Sequence, residues 1–527
     1  MIQIVKKSLN LIKLKSPYFV YFLMGLFFAA IFKFIEDFGP FYSTDTINYL
    51  AMAKTVTNGF FPQSPCFSPG FPFFLSCISF IAPITEATAI YPSFYIIFFL
   101  SFVAIHFLVK LTLSNEKKSF FTLIIFSFLI ISHFGVIKIL MSAHADALFL
   151  LCLLIFFIFI YLWLSTFSIK WFILTSIWGS LCLWFKYNGL LLTPFLIIST
   201  LIFGQKKYKN YILFLPLFFV SVSYLTFKKI NGNVITHFQG AMAFEKLKLA
   251  LVNYKLGYSN FIDSGKIFFG ALFTKPIEMR IPDFLGFVFM IFLFIYFTYF
   301  FIFNKKSRQI HHLFLLFSFF YWLLFYGLNQ YTAFQEINSR TLFPAVLSFV
   351  IWLVISINYA KGFYLYLVIS ILCINVFYSV YFVSVLRKTD PKNTFNYAYN
   401  FSERRSVIQL KNLQSKYHFN EFIYTNDARN LELALDFQKV KLFPSKKVFL
   451  NGRFRQLNGK EFEKKTDKFY KIFLSNNSVL LIFDCKEINK TMEFLKSKRV
   501  KTYIIENDIL IVNILSPNKN GSKIGKV

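Results

Sequence analysis

The acidic residue that is best placed to take part in a reaction stands where a helix should begin. Ser43 and Thr44, residue types that cap helix N-termini, come just before Asp45. Tyr49 and Ala53 follow at helical spacing, so Asp45, Tyr49 and Ala53 would share one helix face. A carboxylate at this place could accept a proton from an attacking hydroxyl or amine. Alternatively, it only stabilises the first turn of a surface helix, where a negative charge suits the helix dipole.

A second group of ionisable residues precedes a long apolar run. Lys138, His144 and Asp146 lie within nine positions, and the run begins directly after Asp146. A His-x-Asp pair at a helix start could ligate a divalent cation, meet a phosphate through a bridging ion, or cap the helix. Two ligands do not define a metal site, so the sequence leaves these three interpretations open.

Two cationic residues stand at the ends of other apolar runs. Lys186 precedes Gly189, and Arg340 follows Glu336 and precedes Pro344. A lone Lys or Arg at the end of a membrane span is usually an anchor whose charge reaches the interface. Two cations near two acid-bearing loops would instead suit a phosphorylated substrate, because ammonium and guanidinium groups pair with phosphate oxygens.

The elements that must position these residues are membrane helices. The chain has 527 residues, of which 56% are hydrophobic and only 15% charged, and 77 are Phe. A soluble chain could not bury that much apolar surface. The net charge of +31 fits basic residues at span ends facing anionic lipid head groups, so membrane lipids are expected partners and nucleic acid is not. Six scattered cysteines indicate neither a disulfide framework nor a zinc site.

Apolar runs of spanning length predict an all-α polytopic bundle of about 11 transmembrane helices, with 11–13 possible. The runs lie near 18–35, 88–111, 119–137, 147–165, 170–185, 189–204, 211–228, 284–303, 311–328, 341–358 and 362–384. Short basic connections between alternate runs place the N-terminus in the cytoplasm. The outer loops would be 36–87 and 229–283. The apolar run 70–84 is too short to span, so we expect an interfacial helix there.

The composition changes after Leu386. Residues 387–527 are rich in Lys, Asn and acids, and their apolar runs have the length of strands. They predict a soluble α/β domain on the extracytoplasmic side. The expected strands are Ile423–Thr425, Val479–Phe483, Thr502–Ile505 and Ile509–Ile514, and the expected helices are Asn430–Phe437, Glu461–Leu474 and Lys486–Lys498.

The order of these motifs resembles the C-type membrane glycosyltransferases, which share the GT-C fold. The branch that looks most similar is the protein O-mannosyltransferase and lipid A aminoarabinose transferase type. The resemblance covers about residues 10–386 and the presence of a tail domain. It is carried by Asp45, Tyr49, Ala53, Pro69-Gly70-x-Pro72, His144-x-Asp146, Lys186-x-x-Gly189 and Arg340-x-x-x-Pro344. Two departures are Ser68-Pro69 in place of Pro-Pro or Lys-Pro-Pro, and His-x-Asp in place of Asp-x-Asp or a lone acid.

The resemblance implies transfer of a sugar from a polyprenyl-phosphate donor to a lipid, glycan or protein acceptor on the outer face of the membrane. Asp45 would be the general base, with inversion at the sugar carbon, and Asp146 a ligand or orienter. Lys186 and Arg340 would bind phosphate. The remaining predicted substrate-binding residues are Tyr49, Lys138, His144 and Glu336. No cofactor is certain, and Asp45 and Asp146 are the expected ligands if Mg²⁺ or Mn²⁺ is needed. The expected location is a bacterial inner membrane.

Two other classes of protein fit the same composition. A flippase or transporter of lipid-linked glycans would also be basic, polytopic and rich in Phe. Few charged residues lie deep within the predicted spans, and a sizeable outer domain is expected, which favours an enzyme over a transporter. An O-antigen polymerase or ligase would share the lipid-linked substrate but not the placement of Asp45.

The predicted topology can be tested with reporter fusions. A reporter that is active on only one side of the membrane should give opposite results when fused at Lys206 and at Phe437, because we predict the first in a cytoplasmic connection and the second outside. The same result at both positions would show that the count of spans and the assignment of loops are both wrong.

Overall fold

The computed structural model describes part of the chain in several stretches. They are residues 25–26, 28–33, 36–37, 39–40, 44–60, 68–81, 90–113, 120–203, 214–231, 267–268, 288, 291–292, 295, 310–331, 339–356, 401–417, 423–427, 431, 434–435, 440–442, 447–450, 453–456, 459–483, 500–505 and 508–513.

The described residues before position 357 are mainly helical. The helices are α1 (Thr44–Thr57), α2 (Gly70–Ile78), α3 (Ile90–Thr112), α4 (Phe120–Ile131), α5 (Phe134–Leu140), α6 (Ala145–Thr166), α7 (Ile169–Phe185), α8 (Leu192–Phe203), α9 (Phe214–Asn231), α10 (Leu313–Tyr331) and α11 (Ser339–Ser356). Short 3₁₀ turns, Tyr187–Leu191 and Ile310–His312, precede α8 and α10.

Among the described residues, three helical stretches are long and apolar enough to cross a membrane: Ile90–Thr112, Ala145–Thr166 and Ile310–Gly327. Several shorter apolar helices accompany them. The protein is therefore an integral membrane protein built mainly of helices. The total of about 11 spans stays a prediction, because the runs near 18–35, 284–303 and 362–384 lie largely or wholly outside the described residues.

One predicted span is broken in the structure. The apolar run 119–137 forms α4 only as far as Ile131, and the chain restarts as α5. The break occurs at His133, whose backbone is extended and whose Nδ1 accepts a hydrogen bond from the Gly135 N–H at 3.1 Å. Hydropathy does not reveal this break, because apolar residues continue on both sides of the histidine. The expected interfacial helix is α2, which at nine residues is too short to span.

The central helices are held together by close packing of aromatic rings. Phe157 of α6 and Phe195 of α8 both meet the ring of Phe317 of α10 edge-on, at 4.9 and 4.8 Å between centroids. Such tilted arrangements are the favoured geometry for aromatic pairs. Gly179 of α7 lies under Phe156 of α6, where a Cβ would stand 3.1 Å from the ring. These contacts pack α6 against α7 and α10.

The tail contains a five-stranded mixed sheet in the order β2-β1-β5-β7-β6. The strands are β1 (Ile423–Thr425), β2 (Lys441–Leu442), β5 (Ser478–Ile482), β6 (Lys501–Ile505) and β7 (Asp508–Asn513), and β3 (Lys447–Leu450) with β4 (Arg453–Gln456) forms a separate hairpin. β1 runs parallel to β2 and β5, whereas β7 is antiparallel to β5 and β6.

Helices cover both faces of this sheet. Val479 and Leu481 of β5 pack in one apolar cluster that includes Val407 and Leu410 of α12 (Arg405–Tyr417). The alternate residues of β5, Leu480 and Ile482, form a second apolar cluster with Phe469 and Phe473 of α13 (Gly459–Ser475). A strand buried on both faces reads as a continuous apolar run, which is how β5 and β7 could be predicted.

The observed strands β1, β5, β6 and β7 agree with the predicted ones to within one residue at each end. Helix α13 likewise agrees with the predicted helix 461–474 to within two residues. Helix α12, the short strand β2 and the hairpin β3–β4 were not predicted. Most of the predicted helix 430–437, and all of 486–498, lie outside the described residues.

The chain divides into two compact units. One comprises Met1–Tyr42 and Met52–Pro391, and the other comprises Ser43–Ala51 and Lys392–Val527. Helix α1 therefore contributes its N-terminal residues to the unit that contains the tail, and its C-terminal residues to the helical unit. In the helical unit, the Thr57 and Ser76 hydroxyls lie 3.3 Å apart and join the end of α1 to α2.

Asn513 offers a test of how α13 is fixed to the sheet. Its buried amide donates to the Phe473 carbonyl at 2.9 Å and to the Asn476 carbonyl at 2.8 Å. We expect Asn513→Ala to destabilise the tail by about 1–3 kcal/mol, because both carbonyls lose a buried partner. Faster hydrogen exchange of β7 amides in the full chain would measure this. Lys464→Ala, on the exposed face of α13, should leave exchange unchanged.

Candidate active site

A buried ion pair joins the ends of two membrane helices. Lys186 Nζ donates to Asp146 Oδ1, and the two side chains are only 8% and 10% exposed. Asp146 is in the first turn of α6, and Lys186 caps the last turn of α7, with its backbone N–H bonded to the Cys182 carbonyl at 3.1 Å. Each charge therefore stands at the helix end whose dipole favours it. The connection of two residues between α6 and α7 makes these helices antiparallel neighbours, which brings the two ends together.

The turn after α7 depends on a glycine. Lys186 has an extended backbone, and the chain then forms the 3₁₀ turn Tyr187–Leu191. A Cβ on Gly189 would lie 2.5 Å from both the Cys182 oxygen and the Leu183 nitrogen. Because these are backbone atoms of α7, no side chain fits, and the turn can lie directly against the helix only with glycine. This contact is the physical reason for the Lys186-x-x-Gly189 spacing.

The same turn is tied to two further helices by a chain of hydrogen bonds. Asn188 Nδ2 donates to the Tyr321 hydroxyl of α10 at 2.8 Å, and that hydroxyl donates to the Thr341 carbonyl of α11 at 3.3 Å. All three residues are buried. The ends of α6, α7 and α11 and the middle of α10 thus meet in one polar cluster.

The start of α2 lies against the same end of α7. A Cβ on Gly70 would stand 2.6 Å from the Phe185 ring and 2.7 Å from the Trp184 carbonyl oxygen. Glycine at this position allows the Pro69-Gly70 element to approach α7 one residue before Lys186. The Pro69-Gly70-x-Pro72 motif is therefore positioned by α7, the helix that ends at Lys186.

The two remaining residues of the second acidic motif differ in their surroundings. His144 is buried at the N-cap position of α6, and its side chain makes no capping hydrogen bond there. Lys138 is an exposed residue of α5, and its carbonyl accepts from the Ser142 hydroxyl at 2.6 Å. Both residues lie within ten positions of Asp146.

Asp45 stands in the first turn of α1, as the spacing predicts, and it is half-buried. Tyr49 and Ala53, which follow on the same face, are buried. Asp45 and Tyr49 belong to the unit that contains the tail, whereas Lys186 and Asp146 belong to the helical unit. The assignment of Asp45 as a general base stays a prediction.

Two predicted site residues are not described at the level of their side chains. Arg340 is the second residue of α11, where only its backbone is described, and Glu336 lies outside the described residues. In the described ranges no group of three or more His, Cys, Asp and Glu side chains is placed to hold a metal ion. Binding of Mg²⁺ or Mn²⁺ by Asp45 and Asp146 stays a prediction.

Asn188, Tyr321 and Thr341 were not predicted as site residues. Asn188 had a usable signal, because it is a strongly polar residue between Lys186 and Gly189 in a turn at a span end. Tyr321 and Thr341 had none, because one tyrosine among many aromatics in a span and one threonine at a helix start are ordinary. Their partners are distant in sequence.

Comparisons with known proteins identify the fold. No protein-family model matches the sequence, and neither does any curated protein sequence. The crystal structure of ArnT from Cupriavidus metallidurans bound to undecaprenyl phosphate matches 95% of this chain and 99% of its own, with a TM-score of 0.53 and 8% identity. The archaeal oligosaccharyltransferase AglB from Archaeoglobus fulgidus, in complex with an inhibitory peptide and a dolichol-phosphate, matches 89% of this chain and 70% of its own, with a TM-score of 0.44 and 12% identity.

The likeness to ArnT extends over nearly the whole length of both chains. The protein has the GT-C fold of the C-type membrane glycosyltransferases. The resemblance inferred from the short motifs is thereby confirmed at the level of the fold. At 8% identity, the roles of individual residues do not follow from this likeness.

The ion pair predicts a characteristic pattern of stability. Asp146→Asn or Lys186→Met alone should destabilise the protein by about 3–5 kcal/mol, because each leaves an uncompensated buried charge. The double variant should regain much of this loss, since neither charge is then buried. Thermal unfolding of purified protein in detergent would measure all three. A double variant less stable than both singles would contradict a direct pairing.

Proposed function

We propose that the protein is a glycosyltransferase that moves a sugar from a polyprenyl-phosphate donor to an acceptor on the extracytoplasmic face of the membrane. The observation that carries this proposal is the agreement of fold, over 95% of the chain, with ArnT bound to undecaprenyl phosphate. Undecaprenyl phosphate is a lipid phosphate of the class that such a donor releases. The acceptor, whether lipid, glycan or protein, would be selected by the loop 229–283 and the tail.

In the proposed reaction, the acceptor oxygen or nitrogen attacks the anomeric carbon of the donor sugar. The bond from that carbon to the phosphate oxygen breaks, and its electron pair leaves with the lipid phosphate. The acceptor proton passes to a carboxylate. Catalysis therefore needs a base on the acceptor side and positive charge on the phosphate side. Attack opposite the leaving group inverts the configuration at the sugar carbon.

Lys186 is the best-supported candidate for the positive charge. Its ammonium group is buried, and Asp146 holds it in a defined position. A positioned charge in a water-poor site stabilises developing phosphate charge better than a mobile surface lysine would. In this proposal Asp146 orients Lys186, and Arg340, one residue before Thr341, supplies the second cation.

Asp45 is the proposed base, and its support is its position in the first turn of α1 together with the resemblance of its surrounding motif. Tyr49, Lys138, His144 and Glu336 are the proposed additional substrate contacts. If the enzyme uses Mg²⁺ or Mn²⁺, Asp45 and Asp146 are the proposed ligands, and the ion would stabilise the leaving phosphate. We place the protein in a bacterial inner membrane with its N-terminus in the cytoplasm.

The decisive variant for this proposal is Asp45→Asn. Asparagine has nearly the size of aspartate and caps helices about as well, but it cannot accept the proton. We expect transfer to fall by roughly 10²–10⁴-fold, the usual contribution of general base catalysis, while binding of the donor persists. Transfer would be measured with purified enzyme as release of lipid phosphate from a polyprenyl-phosphate sugar.

Asp146→Asn is the internal comparison, because it should weaken donor binding more than it reduces turnover. It is assayed below its own unfolding temperature, since loss of the ion pair destabilises it. Near wild-type transfer by Asp45→Asn would show that Asp45 is not the base. Translocation of the intact lipid-linked sugar, with no release of lipid phosphate, would show a flippase instead. Growth of a glycan chain on the lipid carrier would indicate a polymerase.

A further inference from the structure

Asn188 carries a buried hydrogen-bond acceptor that no described residue fills. The side chain is completely buried, and Oδ1 has no hydrogen-bond donor among the described parts of the chain. The orientation of the amide follows from counting protons. The Tyr321 hydroxyl has one hydrogen, and it is donated to the Thr341 carbonyl. Tyr321 must therefore accept from Asn188, which directs Nδ2 towards the tyrosine and leaves Oδ1 open.

An open acceptor of this kind is costly in a folded protein. A buried polar atom without a partner costs about 1–3 kcal/mol, and native proteins keep few of them. The only other such atom among the described residues is the Ser101 hydroxyl oxygen, on α3. A hydroxyl group in a membrane helix needs no ligand to explain it. An amide fixed by one of its own hydrogen bonds is different, because its acceptor has a defined direction.

The position of Asn188 connects this acceptor with the proposed phosphate site. Asn188 lies two residues after Lys186 in a turn that Gly189 presses against α7. Its hydrogen-bond chain ends at the Thr341 carbonyl, one residue after Arg340. The two proposed phosphate-binding residues are thus attached, through the backbone, to the two ends of one buried chain.

We propose that Asn188 Oδ1 accepts a hydrogen bond from a hydroxyl group of the donor sugar, and that the chain from Asn188 through Tyr321 to Thr341 positions this acceptor. The proposal rests on the proposed function. An acceptor oxygen requires a ligand group that donates an O–H or an N–H, and it would not bind an ionised phosphate oxygen. Hydroxyl groups are the donors that every sugar carries. Lys186 would then bind the phosphate of the donor, while Asn188 accepts a hydrogen bond from the sugar attached to that phosphate.

The expected effect is a loss of discrimination rather than a loss of lipid binding. One neutral hydrogen bond is worth roughly 1 kcal/mol, which corresponds to about five- to tenfold in affinity. Removing the acceptor should therefore reduce affinity for the sugar-bearing lipid by about that factor and leave affinity for the bare lipid phosphate unchanged.

The first measurement is lipid binding by the full-length protein in detergent. The probes are undecaprenyl phosphate alone and undecaprenyl phosphate carrying glucose, galactose, mannose or N-acetylglucosamine. We expect the wild type to bind at least one sugar-bearing lipid more tightly than the bare lipid, and Asn188→Leu to lose about five- to tenfold of that preference. Ser101→Ala is the matched control and should bind as the wild type does. A preference that is intact in Asn188→Leu, or absent from the wild type, would overturn the proposal.

The second measurement is the midpoint of thermal unfolding without added lipid. The leucine loses one hydrogen bond but also removes the open oxygen, so we expect Asn188→Leu to unfold near the wild-type temperature, as Ser101→Ala should. Tyr321→Phe should unfold at a lower temperature, because it leaves the Asn188 amide without its acceptor and removes the tyrosine's hydrogen bond to the Thr341 carbonyl. A fall in Asn188→Leu as large as in Tyr321→Phe would show that the amide is structural, or holds a buried water, and would refute the proposal.

The two measurements separate the two proposals. If the wild type binds none of the lipids, the proposed function fails, and the role of Asn188 in sugar recognition fails with it. If the wild type binds the lipids and Asn188→Leu behaves as the wild type does, the proposed function stands and the role of Asn188 is refuted.

Discussion

The ion pair of Lys186 with Asp146 is the interaction on which the rest of the helical unit depends. Two charges in a membrane helix bundle are tolerated only when they meet each other with good geometry, since the penalty for burying either one alone is several kcal/mol. That requirement fixes the start of α6 against the end of α7. The short connection between these helices, the glycine contact of the following turn and the packing of Phe156 over Gly179 all agree with this one register.

A second polar connection extends this arrangement across the bundle. The chain from Asn188 through Tyr321 to Thr341 joins a turn in the first half of the sequence to helices in the second half, over a separation of 133 residues between its first two members. The aromatic contacts of Phe157 and Phe195 with Phe317 hold the same helices through apolar packing. Directional polar contacts set the position of the site, and aromatic packing sets the spacing of the helices that carry it.

Much of the fold was readable from the sequence, because hydrophobicity acts locally. The long apolar runs predict membrane helices. The strands β5 and β7, which are buried on both faces, can be recognised in the sequence as continuous apolar segments. The break at His133 could not be predicted in this way, since it depends on a side chain capping the next helix rather than on hydropathy. Helix α12 was missed because its mixed composition resembles that of the surrounding polar tail.

The charged residues of the candidate site could be singled out one by one from the sequence, but their arrangement could not. Asp146 and Lys186 each stood out as charges at span ends, yet nothing in their spacing showed that they pair. Asn188 and Tyr321 belong to the site because they form a hydrogen bond with each other. A hydrogen bond between positions far apart in the chain has no signature in a single sequence. The sequence therefore indicated the candidate charges, and the fold was needed to show that Lys186 and Asp146 form a pair.

The division of helix α1 between the two units has a consequence for the modular use of this protein. The unit that contains the tail is discontinuous in the chain, because it takes Ser43–Ala51 from near the N-terminus together with Lys392–Val527. A hybrid protein that exchanges the tail by a single crossover near residue 391 would combine one parent's Ser43–Ala51 with the other parent's tail. A crossover that preserves the native unit needs both segments from the same parent, so the two regions should be inherited, and should diverge, together.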